Sequence, residues 1–495
     1  MRRAAHREWY NAEKSPVIAG IKGKLMANEN LQELISLFDG AVESSEKGVS
    51  IQDEPATRRN VYKVVDFSAL GKGEKQAWAR YLVRLIALEL GILPASIHDL
   101  YIARGRGDVA PNFTVPAMNL RTLSFDAAKA VFRAARKIDA SAMLFEIARS
   151  EIGYTQQSPA EYATNILGAA IAEGYTGPVF IQGDHFQISP SRYAADPEKE
   201  LEAVRLLISE AIQAGFYNID IDTSTLVDLS KATIAEQQAL NAELSAMFTE
   251  YIRDIEPTGI TVSVGGEIGE VGGQNSTEEE LRAYADGYQK LLKPGLTGLS
   301  KISVQTGTSH GGIVLPDGTV ADVSVDFNAM LRLSKVARQE YGFAGAVQHG
   351  ASTLPEEAFG KFLEAEACEV HLATNFQNML FDRLPDKLLG EVYTYLDANH
   401  SDERKADQTD EQFYYKTRKR GIGPFKAQMW GMSDEVKTQI CEAWEAQFDQ
   451  LFHSLGIAGT SKHVNQNIST LKITPSPEDY FDDPKEQEDV RDLAD

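Results

Sequence analysis

From about Asn112 onward, short β-rich runs alternate with helical stretches, and nothing interrupts the alternation. The runs are NFTVPAM, SAMLFEIA, PVFIQGDHF, NIDIDTST, TVSVGGEIG, KISVQTGTSH, GAVQHGAS and CEVHLATNF, eight in all. Apolar residues recur at helical spacing between them, over residues 125–137, 159–173, 198–214, 277–292 and 327–341. Strand–helix units in series build a parallel sheet, and eight of them predict a closed α/β fold, the (β/α)8 TIM barrel. An open doubly wound sheet would carry a GxGxxG turn, and that fingerprint is lacking.

Ahead of the barrel, residues 28–42 and 75–90 have helical periodicity and the polar stretch 43–60 reads as a loop. Residues 1–105 are therefore expected to form a mainly helical N-terminal extension. Residues 399–411 read as a charged loop and 434–455 as an amphipathic helix over the barrel wall, so 106–475 make the barrel domain with C-terminal helices. The stretch 476–495, rich in Asp, Glu and Pro, is expected to be a disordered acidic tail. A formal charge of −23 argues against nucleic acid and against an anionic membrane surface as partners. It does not exclude a small anionic substrate, because a metal can set the local sign. Two distant cysteines, Cys368 and Cys441, give no disulfide framework. No apolar segment follows the basic start, and no run of about 18 apolar residues occurs. A cytoplasmic location is expected.

Barrel enzymes place their chemistry at the C-terminal ends of the strands. Three predicted strands end in histidines: His185 in GDHF, His310 in TGTSHGG and His349 in QHGAS. Three imidazoles with an open position make a catalytic zinc site. One such histidine alone would be read as a buried side chain bonded to backbone; three at equivalent strand ends are not. Asp184, next to His185, can move a proton at a metal-bound substrate. Glu267, in GGEIGEVGG, ends a fourth strand as a further ligand or as an anchor for an imidazole. Gly311 and Gly312 follow His310, and Gly350, Ala351 and Ser352 follow His349. They form either a phosphate or carboxylate cradle or simply tight turns. Asp220 and Asp222 alternate with isoleucines, and a buried aspartate needs a partner. Asp222 thus orients a ligand, accepts a substrate hydroxyl, or makes a structural hydrogen bond. Glu146 and Arg149 pair with each other or contact an anionic substrate, and His371 reads as a structural residue or a substrate contact rather than a ligand.

The order DH, GEIGxxGG, GTSHGG and HGAS resembles the zinc-dependent class II aldolases of the fructose-bisphosphate and tagatose-bisphosphate type, over roughly residues 112–459. FEIARSEIGYT and GDHFQISPSRY also look like the tagatose-bisphosphate aldolase subunit regarded as non-catalytic. The resemblance implies that His185, His310 and His349 bind Zn2+, with Glu267 near the metal and a monovalent cation as a second candidate cofactor. It implies that Asp184 is the acid/base on the hydroxyl at the cleaved bond, and that Gly311, Gly350 and Ser352 hold a substrate phosphate. The zinc would polarise a ketose carbonyl and stabilise the enediolate. A sugar phosphate substrate, a role in carbohydrate metabolism and a homodimer or homotetramer belong to the same implication.

Two stretches depart from the family pattern. After GEIGEVGG the family usually carries an acidic pair on a mobile loop, whereas Gln274-Asn275-Ser276 stands here. Asn275 cannot act as a carboxylate base, and Glu278 is placed to start a helix. On the eighth strand the family's Asn-Ile-Asp-Thr-Asp is read here as Ala373-Thr374-Asn375-Phe376-Gln377. That alignment keeps Asn375 as a polar substrate contact and puts Phe376 in place of a phosphate-binding threonine. Two rival readings follow: a metal lyase or isomerase acting on another polyol or sugar acid, and a non-catalytic sugar-phosphate-binding subunit.

Overall fold

The computed structural model describes residues 28–45, 48–269, 274–307, 315, 325–481 and 490–493. Eleven strands occur among them: β1 (Val42–Ser45), β2 (Gly48–Ile51), β3 (Ile92–Ala95), β4 (Val115–Asn119), β5 (Leu144–Ala148), β6 (Gly177–Gln187), β7 (Asn218–Asp222), β8 (Ser263–Glu267), β9 (Lys301–Val304), β10 (Ala346–Gln348) and β11 (Glu369–Leu372). β4 to β11 pair in sequence, all parallel, and β11 returns to β4, which closes the eight-stranded barrel. The expected TIM barrel is therefore the observed fold.

The intervening helices lie where the apolar spacing puts them. Ser124–Lys137 buries Phe125, Ala128, Val131, Phe132 and Ala135, a stripe of three- and four-residue spacing, and packs on the long helix Asp434–Ser454. Helix Glu278–Leu291 starts at Thr277, whose hydroxyl accepts from Glu280 N while the Glu280 carboxylate accepts from Thr277 N. Glu278 is its first residue, as expected.

The N-terminal extension departs from the loop read over 43–60. There the chain makes the antiparallel β1–β2 hairpin and then the helix Glu54–Leu70, capped by Asp53. Its buried stripe is narrow, essentially Val61, Val64, Val65 and Ala69, so the polar majority of the segment hid it. β3 adds a ninth parallel strand to the sheet. It pairs with the first four residues of β6, and β7 pairs with the later ones. The Asn218 side chain joins the three, donating to Ala95 O and Ile181 O and accepting from Ile97 N. Helix His98–Arg106 then sends the Tyr101 hydroxyl to the Glu369 carboxylate on β11. The extension thus makes contact with the barrel interior.

Part of the acidic tail, residues 476–481 and 490–493, is described, and it touches the rest of the chain. Pro477–Tyr480 forms a 3-10 turn with Tyr480 buried against Tyr81, and Asp492 pairs with Arg192 at 2.6 Å. One aromatic and one ionic contact thus join these described residues to the rest of the chain. No helix among the described residues is long and apolar enough to cross a membrane.

Candidate active site

The end of β6 shows how the chain aims its chemistry. Alternate residues of a strand face opposite sides, so adjacent Asp184 and His185 should diverge. They do not, because the β6–β7 register shifts between Gly183 and Phe186 and His185 takes φ +40°. This bulge brings both side chains into one buried pocket. Gly183 makes it feasible: the Phe186 ring lies back over its α-carbon, where any Cβ would collide. A non-glycine residue at positive φ is a strained backbone of the kind kept at functional sites.

Asp184 is the hub. Its Oδ1 lies 3.9 Å from His185 Nε2, 3.9 Å from His349 Nδ1 and 3.1 Å from His371 Nδ1. Its Oδ2 accepts from Asn119 Nδ2 at 2.9 Å. The three imidazoles lie in a row, tilted to one another by 50° and 40°, with centroids 4.2 Å apart from His185 to His349 and 4.0 Å from His349 to His371. Burial alone would raise the Asp184 pKa; the His185 and His371 charges overcome it and hold it well below the carboxylate range. Burial alone would lower the His185 pKa; Asp184 and Glu267 reverse that and hold it well above the usual value.

His185 is oriented from its far side. Its Nδ1 is 3.2 Å from Asp222 Oδ2 and 3.3 Å from Glu267 Oε2. Asp222 is fixed in turn by Gln187 Nε2 at 2.6 Å and Ser224 Oγ at 2.7 Å. Both carboxylates therefore sit behind the imidazole. His349 Nε2 is 2.9 Å from Ser303 Oγ, which leaves Nδ1 toward Asp184.

These donors fit a metal. Asp184, His185 and His349 each offer one buried atom, all within 4.8 Å of one another. Nitrogen and oxygen ligands at zinc distances lie roughly 3.5 Å apart, so the set needs little closing. The inner groupings of Glu146, Asp220, Glu369 and His371 fit less well because an ammonium already serves them. Lys301 Nζ, fully buried, donates to Asp220 Oδ2 at 2.9 Å, to Gln182 Oε1 at 2.8 Å and to Glu369. Burial would raise the Glu369 pKa, but Lys301 and His371 bring it down to about 2. Burial pushes Asp220 up to about 6 against the pull of Lys301, and Glu146 up to about 8 against that of His371. His371 faces carboxylates from both nitrogens, Asp184 at Nδ1 and Glu369 at Nε2, 2.7 Å away. Carboxylates only accept, so both nitrogens carry protons and His371 is an imidazolium rather than a ligand.

The other sequence candidates fall in different places. His310 and Gly311 lie outside the described residues. Gly350, at φ +67°, and Ser352 line the pocket, but the Ser352 hydroxyl accepts from Ala373 N and Thr374 N and caps the helix Thr374–Phe381. That helix begins directly after β11. Asn375 consequently lines a neighbouring cleft beside Gln447, and His371, Ala373, Thr374 and Gln377 face the histidine pocket instead. Arg149 pairs with Glu200 at 2.6 Å rather than with Glu146. Sequence reasoning gave no role to Asn119 or to the Arg121–Glu151 ion pair (2.6 Å), which sit on the pocket wall. It also gave none to Tyr415, Lys416, Lys419 and Arg420, which reach the pocket from the C-terminal helices. Asn119 was signalled by its place at the end of the first barrel strand; the C-terminal four carried no local signal.

Residues 109–467 match the model of the family fructose-bisphosphate aldolase class-II, and the chain belongs to that family. A comparison with curated protein sequences gives no match. Among solved structures, fructose-bisphosphate aldolase from Campylobacter jejuni is 16% identical, with a TM-score of 0.42, covering 73% of this chain and 94% of its own. A probable tagatose 6 phosphate kinase from Sinorhizobium meliloti 1021 is 15% identical, with a TM-score of 0.49, covering 72% and 98%. Fructuronate-tagaturonate epimerase from Cohnella laeviribosi is 13% identical, with a TM-score of 0.49, covering 88% and 90%.

Proposed function

We propose that the chain is a metal-dependent aldolase, a lyase that cleaves or forms a phosphorylated ketose by retro-aldol chemistry. The observation that carries the reading is the position of Asp184, an ionised buried carboxylate ringed by His185, His349 and His371 at the barrel mouth. His185 and His349, with His310 of the TGTSHGG motif, are the residues to hold the metal, and Glu267 and Asp222 set the His185 ring from behind. A bound metal would supply Lewis-acid polarisation of the ketose carbonyl.

The chain's own groups do the rest. Asp184 takes the proton from the substrate hydroxyl beside the scissile bond. The oxygen's electron pair becomes a new carbonyl, the carbon–carbon bond breaks, and its pair passes into the neighbouring carbonyl as an enediolate. The His371 imidazolium stays fixed next to Asp184 and, through its Nδ1 contact, holds the carboxylate in place and keeps it charged before the proton arrives. Asn119 holds the Asp184 carboxylate in place through Oδ2. Return of a proton to the enediolate carbon needs a group other than Asn275.

The test is turnover of a panel of ketose mono- and bisphosphates by Asp184→Asn. A fall in kcat by about 10²–10⁴ with ligand binding kept is the expected result. Undiminished turnover would remove Asp184 from the chemistry and the reading with it.

A second reading is carried by the way the pocket is covered. Tyr415, Lys416, Lys419 and Arg420 line it opposite the strand ends, so both fragments of a cleaved ketose could be held and rejoin. Rejoining on the other face inverts one carbinol centre, which makes the enzyme an isomerase of a ketose or sugar acid. Product analysis by NMR separates the two: shorter fragments for a lyase, one stereoisomer for an isomerase.

A further inference from the structure

We propose that the segment Ser401–Gly421 is an anion-recognition cap that binds the terminal carboxylate or phosphate of the substrate, the work expected of the strand-end glycine loops. The inference rests on the reading of the pocket as a ketose site.

The loop after His349 has little left to offer an anion. Its one hydroxyl, Ser352 Oγ, already accepts from Ala373 N at 2.5 Å and Thr374 N at 3.2 Å. The amides that a substrate anion would need at that helix start are thus occupied by the protein itself. Cations stand on the other side of the pocket. Lys416, Lys419 and Arg420 line the same pocket, and Lys416 is exposed with no hydrogen bond or ion pair to any described residue. Arg420 Nε stands 3.4 Å from Glu403, its nearest counter-charge.

The cap that carries these cations is itself anchored to the barrel. Helix Asp410–Thr417 starts at a Thr409–Gln412 capping box. The buried Arg418 guanidinium stacks 4.7 Å from the Tyr415 ring and 5.0 Å from Phe381, and donates to Asn378 Oδ1 at 2.6 Å. Asn378 in turn donates to Tyr415 Oη at 3.0 Å. On the other side Gly423 N donates to Tyr154 O, at a separation where a Cβ on Gly423 would collide. The cap is therefore clamped between the helices that follow β5 and β11.

Charge within the cavity is consequently divided. Asp184 faces the candidate metal site, whereas the cap brings Lys416, Lys419 and Arg420 against the single carboxylate of Glu403 and so gives its side of the cavity an excess of positive charge. The cavity of about 330 Å³ is at the small end for ligand pockets. A monosaccharide-sized ketose fits this polarity, with its hydroxyketone end at the floor and one anionic end at the rim.

Binding is measured by calorimetry on full-length, metal-loaded Asp184→Asn, with fructose, fructose 6-phosphate and a ketohexuronate as probes. The expected result is that one anionic probe binds about tenfold or more tighter than fructose. The favoured probe identifies phosphate or carboxylate as the group read. The double variant Lys416→Glu/Lys419→Glu should erase that advantage, and Lys416→Glu alone, at an exposed position, should reduce it. Equal binding of all three probes overturns the inference, as does an advantage that survives the double charge reversal. Turnover of the wild type is scored separately. An anion preference that depends on these lysines, in a protein without aldol or isomerase turnover, supports the cap and counts against the proposed chemistry alone.

Discussion

The barrel floor and the cap above it use the same residue types for opposite purposes. At the floor Lys301, Asp220, Glu369, Glu146 and His371 are buried, and each cation faces carboxylates. At the cap Lys416 stands exposed without an acidic partner. Desolvation accounts for the difference. A charge removed from water persists only if paired, so the floor sets Lys301 and His371 directly against its carboxylates. A charge left in water costs little, so it is available to a ligand. Position in the barrel, more than residue identity, separates structure from recognition here.

The contrast is broken most directly at Lys301. Lys301→Met leaves Glu369 and Asp220 buried beside a thioether, and should destabilise the fold by about 3–5 kcal/mol in urea unfolding. A loss below about 1 kcal/mol would show that the floor does not depend on its ammonium. Adding Glu369→Gln should recover part of the loss, since the pair acts as a unit.

His98 sharpens the comparison, as a buried group without an acid facing it. Burial first, then the charges of Arg253 and Arg106, push its pKa down to about 4. The folded value lies below the unfolded one, so the contribution is intact above about pH 6.5 and is lost as the pH falls toward 4. The full loss is up to about 3 kcal/mol. His98→Gln should show a smaller fall in urea midpoint between pH 7 and 4.5 than the wild type; parallel profiles would contradict this.

Glu267→Gln tests the support behind His185. Weakening the charge at Nδ1 should lower metal affinity by about 10–100-fold, read by competition with a chelator. Unchanged affinity would remove Glu267 from the site. The smallest effect is expected in the cap, where Asp410→Asn removes an exposed ion pair with Arg404. Its urea midpoint should match the wild type, and a clear shift would mean that cap charges are structural after all.

The barrel was legible in the sequence because its two periodicities are long and regular. Predicted helix 327–341 is the observed Phe327–Tyr341, and the other four expected between barrel strands agree to within a residue, whereas the helix read over 28–42 ends at Ser36. Asp184, His185, His349, Glu267 and Asp222 were legible because they end strands, and the structure brings them together. What was not legible depends on where an element stops. No pattern in ATNFQ says that the helix begins at Thr374, so Asn375 was aligned with the site while His371 was placed among structural residues and substrate contacts. The bulge that turns His185 inward depends on Phe186 folding over Gly183, a contact without a sequence period. The cap residues arrive from more than two hundred residues beyond Asp184, and only tertiary packing places them.

The central claim is that Asp184 works beside a metal held by His185 and His349. It is tested most directly by elemental analysis of the purified full-length protein, together with ketose turnover before and after chelation. The account predicts about one zinc-like ion per chain, turnover lost on chelation and restored by the metal. Turnover that continues after complete removal of metal would contradict it.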